Sequence, residues 1–278
     1  HTWGPHGVAI ARGQDQRRVW HGIADCLYRI RRANRLFGQC DYVIVKALFE
    51  SEQAGASALK SFSYQAMETE PNMVLTLDPQ WKSIDDYMAS LTKRYRAAAK
   101  KVRKPFDGDV LTVMPIDDLN DEAELIWKLY KSVASKAKVC LFELSVTTLP
   151  RIAQVLGEHF VTIGIREHGR LIGFVTVVRD GETAIGYYLG LDYEVNARLP
   201  IYHALLLAVI EQAITWRCKA VSFGRTALEA KSRLGCQPEK TYVWVRHRVP
   251  VINFVVQQLM KNATHEEPPQ RNPFKNET

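Results

Sequence analysis

Three β-type runs crowd into residues 160–191, and nothing else in the sequence restricts the fold as strongly. They are Phe160–Arg166, Leu171–Arg179 and Thr183–Leu191, parted by His168-Gly169 and Asp180-Gly181. Glycine at such a junction lets the backbone take the positive φ that a tight hairpin needs. Short turns make consecutive strands antiparallel neighbours, so the stretch predicts a three-strand meander. A helix follows over about Pro200–Arg217, with Pro200 in the first turn, where a missing N–H costs nothing. Ile201, Leu205, Leu206, Val209, Ile210, Ile214 and Trp216 nearly encircle it, which predicts burial on most sides.

The flanks extend this pattern. A strand at 109–116, an amphipathic helix at Asp121–Lys136 (Leu125, Leu129 and Val133 on one face) and a helix at Leu149–Leu156 precede the meander. After the long helix come a strand at Ala220–Phe223, a short helix at Leu228–Leu234 ended by Gly235, and a strand at Lys240–Arg246. The alternation predicts a mixed α/β layer fold. Nearer the N-terminus, a helix (Asp15–Leu36), a strand (Tyr42–Phe49), a helix (Glu52–Lys60) and β runs (Ser61–Met67, Met73–Leu77) echo residues 200–245. That echo predicts two related units, the first entered part-way through. The expected blocks are 1–83, a partial first unit; 84–106, a basic connecting helix; 107–263, a complete unit; and 264–278, a proline-rich mobile tail. His1 opens the chain with no charged-then-apolar signal segment after it, so the chain is expected to begin inside a longer protein.

Charge is concentrated rather than spread. Lys and Arg number 37 against 30 acidic residues, a net +7. Lys93, Arg94, Arg96, Lys100, Lys101, Arg103 and Lys104, with no acid among them, equal that whole excess. They lie on a predicted helix whose apolar stripe is Ile84, Met88, Leu91, Tyr95, Ala98 and Val102, ended by Pro105. Either this is a solvated helix face or it meets an anionic ligand; duplex DNA would demand broader positive coverage. A second cluster, Arg29, Arg31, Arg32 and Arg35, is partly balanced by acids elsewhere. Five cysteines (26, 40, 140, 218 and 236) lack metal-like spacing and read as reduced thiols in a cytoplasmic protein. Cys140 has no His–acid pair and reads as inert. No metal motif, P-loop or GxSxG element occurs. The longest apolar run, near 204–210, is far short of the roughly 20 residues that cross a bilayer, so no membrane span is expected.

The run Gly224-Arg225-Thr226-Ala227-Leu228-Glu229-Ala230-Lys231, with Leu234-Gly235 after it, is the most specific motif. Taken with Tyr188-Leu189-Gly190-Leu191-Asp192-Tyr193 and Lys93-Arg94-Tyr95-Arg96, it resembles the FemAB-like branch of the GNAT superfamily. The resemblance runs from about Asp15 to Val249 and is strongest from Phe160 to Arg246. It implies a GNAT-like mixed sheet with helices on both faces, in tandem, the first unit truncated. It also implies direct transfer of an acyl group to an amine. The donor it implies is acetyl-CoA or another acyl-CoA, without a metal. Within the aminoacyl branch the donor would be aminoacyl-tRNA, and the acceptor a peptidoglycan precursor. Small-molecule amines, cell-wall precursors and tRNA are thus the expected partners. One departure stands out. Where GNAT enzymes cradle pyrophosphate on the backbone of a glycine-rich loop at a helix N-terminus, residues 194–200 (Glu-Val-Asn-Ala-Arg-Leu-Pro) hold no glycine, and side chains hinder close backbone approach. Arg198 is expected to replace part of that contact. A non-catalytic binding module that kept the fold is the remaining alternative.

Amine acylation needs a proton acceptor for the amine, a donor to the developing oxyanion and a proton source for the leaving group. Tyr187, Tyr188 and Asp192, at the end of the third meander strand, are the candidates the resemblance implies. Strand alternation puts the two tyrosines on opposite faces, so that only one would reach the cleft. Arg225 and Thr226 end the next strand, where open α/β sheets bind ligands. Glu229 and Lys231 follow as further binding candidates. The structural alternative for Arg225 is an ion pair with Glu229, four residues on. Arg96 and Lys100 are expected to meet phosphate. His203, in the first turn of the long helix, reads as a core or cleft-lining residue.

Overall fold

The computed structural model describes residues 7–33, 40–106, 108, 110–136, 143–261, 269 and 271–275. Cys140 and Arg35 lie outside them. By contact the chain forms two compact units, His1–Asn72 with Pro238–Glu267, and Met73–Gln237 with Pro268–Thr278.

The larger unit contains the meander. Its strands are β3 (Leu111–Pro115), β4 (Phe160–Glu167), β5 (Arg170–Asp180), β6 (Thr183–Leu191) and β7 (Ala220–Ser222), joined by the end of β2 (Gln65–Thr76) in the order β2-β7-β6-β5-β4-β3. All neighbours are antiparallel except β6 and β7. The first hairpin turns on His168 (φ 50°) and Gly169 (φ 78°), the paired positive φ that matches strand twist. The second turns on Gly181 (φ 56°) and Glu182, one residue beyond the predicted pair, because Asp180 still pairs with Thr183. Helix α8 (Ile201–Thr215) covers one face, packing on Ile163, Val175, Val177 and Ala184. It is buried nearly all round, as its composition predicts. Helices α5 (Ala123–Ala134) and α6 (Thr148–Leu156) cover the other face. A Cβ on Gly190 would lie 2.5 Å from backbone atoms of Leu129 and Tyr130, so α5 rides directly on the β6 backbone. The fold is α/β, a mixed sheet with helices on both faces.

Two expectations need correction. The basic segment is not one helix but two, α3 (Ile84–Ser90) and α4 (Lys93–Arg103). Between them Leu91 is extended (ψ 147°) and bridges Phe274, while Thr92 N–H donates to Pro273 O and Lys275 N–H to Ser90 O. The tail segment thus takes backbone groups a continuous helix would have used. The break resets the face, so Ala99 is buried in place of Ala98. The same contacts correct the mobile tail over 271–275. Phe274 packs beside Gly235 and against the rings of Trp81 and Tyr87.

In the smaller unit the order is β1 (Tyr42–Phe49), β8 (Gln237–His247), β2. Helices α1 (Gln16–Ala33) and α2 (Gln53–Ala56) build a core of Trp20, Leu48, Leu59, Tyr64 and Trp244 with these strands. The two β runs expected at 61–67 and 73–77 are one strand, β2, running through Pro71. Pro71 lies between Glu70, whose carbonyl accepts from Thr241 Oγ1, and Val74–Thr76, which pair with β7, so its missing N–H falls where the strand changes partner. A helix the sequence reading lacked, α10 (Pro250–Lys261), is held by Asn253. Its Oδ1 accepts from His247 N–H and its Nδ2 donates to Ser63 O. Among the described residues no helix is long and apolar enough to cross a membrane.

Candidate functional site

The site follows from how β6 leaves β7. The two strands pair only over Thr183–Ile185 and Ala220–Ser222; beyond that, β6 continues to Leu191 while β7 ends. On its other side β6 carries a bulge. Val175 pairs with Leu189 but Val177 with Gly186, so Thr176 faces both Tyr187 and Tyr188. The fully buried Thr176 hydroxyl locks the bulge, accepting from Tyr188 N–H (2.8 Å) and donating to Tyr188 O (3.3 Å).

The bulge overturns the alternation argument. An extra residue in one strand breaks the period of two, and the rings of Tyr187 and Tyr188 meet edge to face with centroids 4.7 Å apart. Both lie on one side. Tyr130 of α5 stacks edge-on against Tyr188 at 5.9 Å. Burial holds the Tyr187 hydroxyl well above the ordinary tyrosine range, Tyr188 adds to this, and the nearby Arg225 guanidinium works against it. Tyr187, Tyr188 and Arg225 are therefore gathered. Thr226, exposed, follows Gly224 (φ 73°) and precedes Ala227 (φ 53°), the turn into α9 (Leu228–Ser232).

The other candidates are committed to the framework. Asp192 caps α7 (Tyr193–Arg198), accepting from Glu194 N–H (3.0 Å) and Val195 N–H (3.3 Å), and pairs with Arg170 at 3.2 Å. Arg198 pairs with Glu167, whose carboxyl it holds below the usual range. Glu229 pairs not with Arg225 but with Arg233 (2.8 Å) and Arg271 (2.7 Å), and both lower its pKa. Lys231, 3% exposed, donates from Nζ to Phe223 O (2.6 Å) and Gly224 O (3.2 Å), capping the end of β7. Lys100 borders a cavity of about 570 Å³ with Lys101, Lys104 and Arg103, the last paired to Asp85 at 3.0 Å. Arg96 is half-buried on the same helix. His203 is exposed; partial desolvation and Arg233 lower its pKa. Sequence reasoning missed Thr176 and Tyr130. A lone hydroxyl inside Leu171–Val178 was the available signal for the first; Tyr130 had none.

A protein-family model described as an acetyltransferase (GNAT) domain matches residues 89–232, just over half the chain. The chain belongs to the GNAT acetyltransferase family. Among solved structures, FemX superposes with a TM-score of 0.61 at 10% identity, over 92% of this chain and 82% of that one. The C-terminal domain of a putative lysylphosphatidylglycerol synthetase from Agrobacterium fabrum gives 0.57 at 10% identity, over 86% and 77%. A GCN5-related N-acetyltransferase from Kribbella flavida gives 0.50 at 14%, over 82% and 76%. At such identities the likeness is one of fold. No curated protein matches the sequence.

GNAT folds generally take acyl-CoA, and the described residues fit its usual cradle poorly. Most of the stretch read as a loop, residues 194–200, is helical, since α7 covers Tyr193–Arg198. Asn196 N–H donates to Asp192 O and Leu199 N–H to Val195 O. At the α8 N-terminus, the Asn196 side chain accepts from Tyr202 N–H at 3.0 Å and Ile201 N–H donates to Leu199 O. The N–H groups of Ile201 and Tyr202, which open α8, thus already have partners within the chain.

Proposed function

We propose that this chain transfers an acyl group directly to an amine in the cleft where β6 and β7 part. One observation carries the reading: the bulge that turns Tyr187 and Tyr188 to one side lies where the ladder to β7 has ended, with Arg225 beside them. In the transfer a neutral amine attacks the acyl carbon and a C–N bond forms. The bond from that carbon to the donor's leaving atom breaks. The Tyr187 hydroxyl supplies a proton to the leaving atom, and the amine's surplus proton passes to water. Arg225 steadies negative charge at the tyrosine. Asp192, already engaged twice, serves as a cap rather than as the base.

The engagement of the Ile201 and Tyr202 N–H groups at the start of α8 favours a second reading of the donor: an aminoacyl ester, as on aminoacyl-tRNA, with a peptidoglycan precursor as acceptor. Two features support it. A thiol leaves readily, having a pKa of about 8.5, whereas a ribose oxygen is a poorer leaving group and needs a proton from a group such as Tyr187. The exposed Lys93, Arg94, Lys100 and Lys101 of α4 also suit an RNA backbone.

A donor panel tests both readings. Acetyl-CoA and charged tRNA are each offered with amine acceptors, and acylated product is read by mass. Product formation that falls about 100-fold or more in Tyr187→Phe is expected, the scale of a lost general acid. A saturable thermal shift with CoA in the parent protein would overturn the ester reading. No product with any donor would leave the fold as a binding module.

A further inference from the structure

We propose that a second cleft of the larger unit binds a small zwitterion, an α-amino acid or a peptide end carrying both an ammonium and a carboxylate. It lies between the loop leading from β3 to α5, helix α6 and the start of β4, and encloses about 770 Å³. None of the tyrosine cluster lines it, so the inference stands apart from the acyl-transfer reading.

Thr162 is among the residues that line this cleft. It sits in β4 directly opposite Thr176 and is 2% exposed, yet its hydroxyl has no hydrogen-bond partner. Its registered neighbour Thr176 makes two bonds with its own hydroxyl. A buried hydroxyl left unpaired is destabilising unless something else completes it. Asp117, Arg151 and Gln154 also line the cleft, and none of these three exposed side chains has a hydrogen-bond or ion-pair partner among the described residues. Asp118 next door is different: its carboxylate accepts from Asn120 N–H (2.8 Å) and Asp121 N–H (3.4 Å), and both bonds hold its pKa down. One carboxylate and one guanidinium, unpaired with each other across a single cleft, complement a ligand bearing both charges. Leu119, Pro150 and Phe160 leave room for a short apolar side chain. Asp117 takes the ammonium, Arg151 the carboxylate, and Thr162 with Gln154 the remaining polar edge.

Titration calorimetry on the full chain uses glycine, L-alanine and L-alanyl-L-alanine as probes. N-acetyl-L-alanine and L-alaninamide, each lacking one charge, are the controls. Zwitterions should bind saturably, and each control about 10-fold more weakly or worse, the scale of one lost charged contact. Arg151→Gln should abolish the preference over alaninamide, and Asp117→Asn the preference over N-acetylalanine. Thr162→Val should raise the melting temperature of the free protein and weaken binding. Binding by alanine but not dialanine identifies a free amino acid as the source; the reverse identifies a peptide end, and either supports the site. No saturable binding by any probe, N-acetylalanine binding as well as alanine, or unchanged affinity in both charge variants would overturn it.

Discussion

Replacing Thr176 by valine keeps shape and volume while deleting the hydroxyl that closes the β6 bulge. The residue is fully buried, so water cannot take its place. The change strips Tyr188 N–H and Tyr188 O of their bonds at 2.8 and 3.3 Å. Leaving such groups unmatched costs about 2 kcal/mol. For a unit of this size that lowers the melting temperature by roughly 4–8 °C. The bulge would then relax towards regular pairing, which returns Tyr187 and Tyr188 to opposite faces and separates their rings. Acyl transfer should fall more than stability does, and near-UV circular dichroism should change with it. Thr176→Ser, which keeps the hydroxyl, should restore most of both. The same substitution one strand away gives the opposite sign. Thr162→Val removes a hydroxyl that has no partner and should stabilise the free protein by about 1 kcal/mol. If Thr176→Val melts like the parent with an unchanged tyrosine spectrum, the hydroxyl does not hold the bulge and the reasoning fails.

Gly190→Ala places a methyl against the α5 backbone; it should cost about 3 kcal/mol and disturb Tyr130 against Tyr188, read by thermal denaturation and tyrosine fluorescence. The Glu229 pairing with Arg233 and Arg271 depresses its pKa below 4.5. Its stabilisation is then fully present above that value and fades as pH falls through the folded pKa, because the unfolded chain takes up the proton first. The difference in melting temperature between the parent and Glu229→Gln should therefore shrink on acidification from pH 7 to pH 3. Burial pushes the Cys236 thiol up to about 12, whereas Cys26 and Cys40 are exposed. Alkylation at pH 8 with peptide mapping should modify Cys26 and Cys40 in the folded protein, and Cys236 only after unfolding.

Much of the frame was legible because it is written in local physics. The meander, the encircled helix α8 and the Gly235 stop needed only turn chemistry and periodicity. Fold class and family followed from these and from Gly224–Lys231. The functional residues were legible by type and not by partner. Arg225 and the two tyrosines did come together, but Lys231, Glu229, Asp192 and Arg198 found framework partners. Three of those partners, the carbonyl of Phe223, Arg271 and Glu167, lie 8, 42 and 31 residues away.

The sequence by itself determined which segments bury and where the chain turns, since glycine φ, proline and side-chain period act within a few residues. Tertiary structure decided the rest. A bulge depends on the neighbouring strand's register, so only the β5–β6 pairing could put Tyr187 and Tyr188 on one face. The break between α3 and α4 needed the docking of Phe274 from far along the chain. The second cleft, too, exists only because folding brought Asp117, Arg151 and Thr162, distant in sequence, to line one cavity.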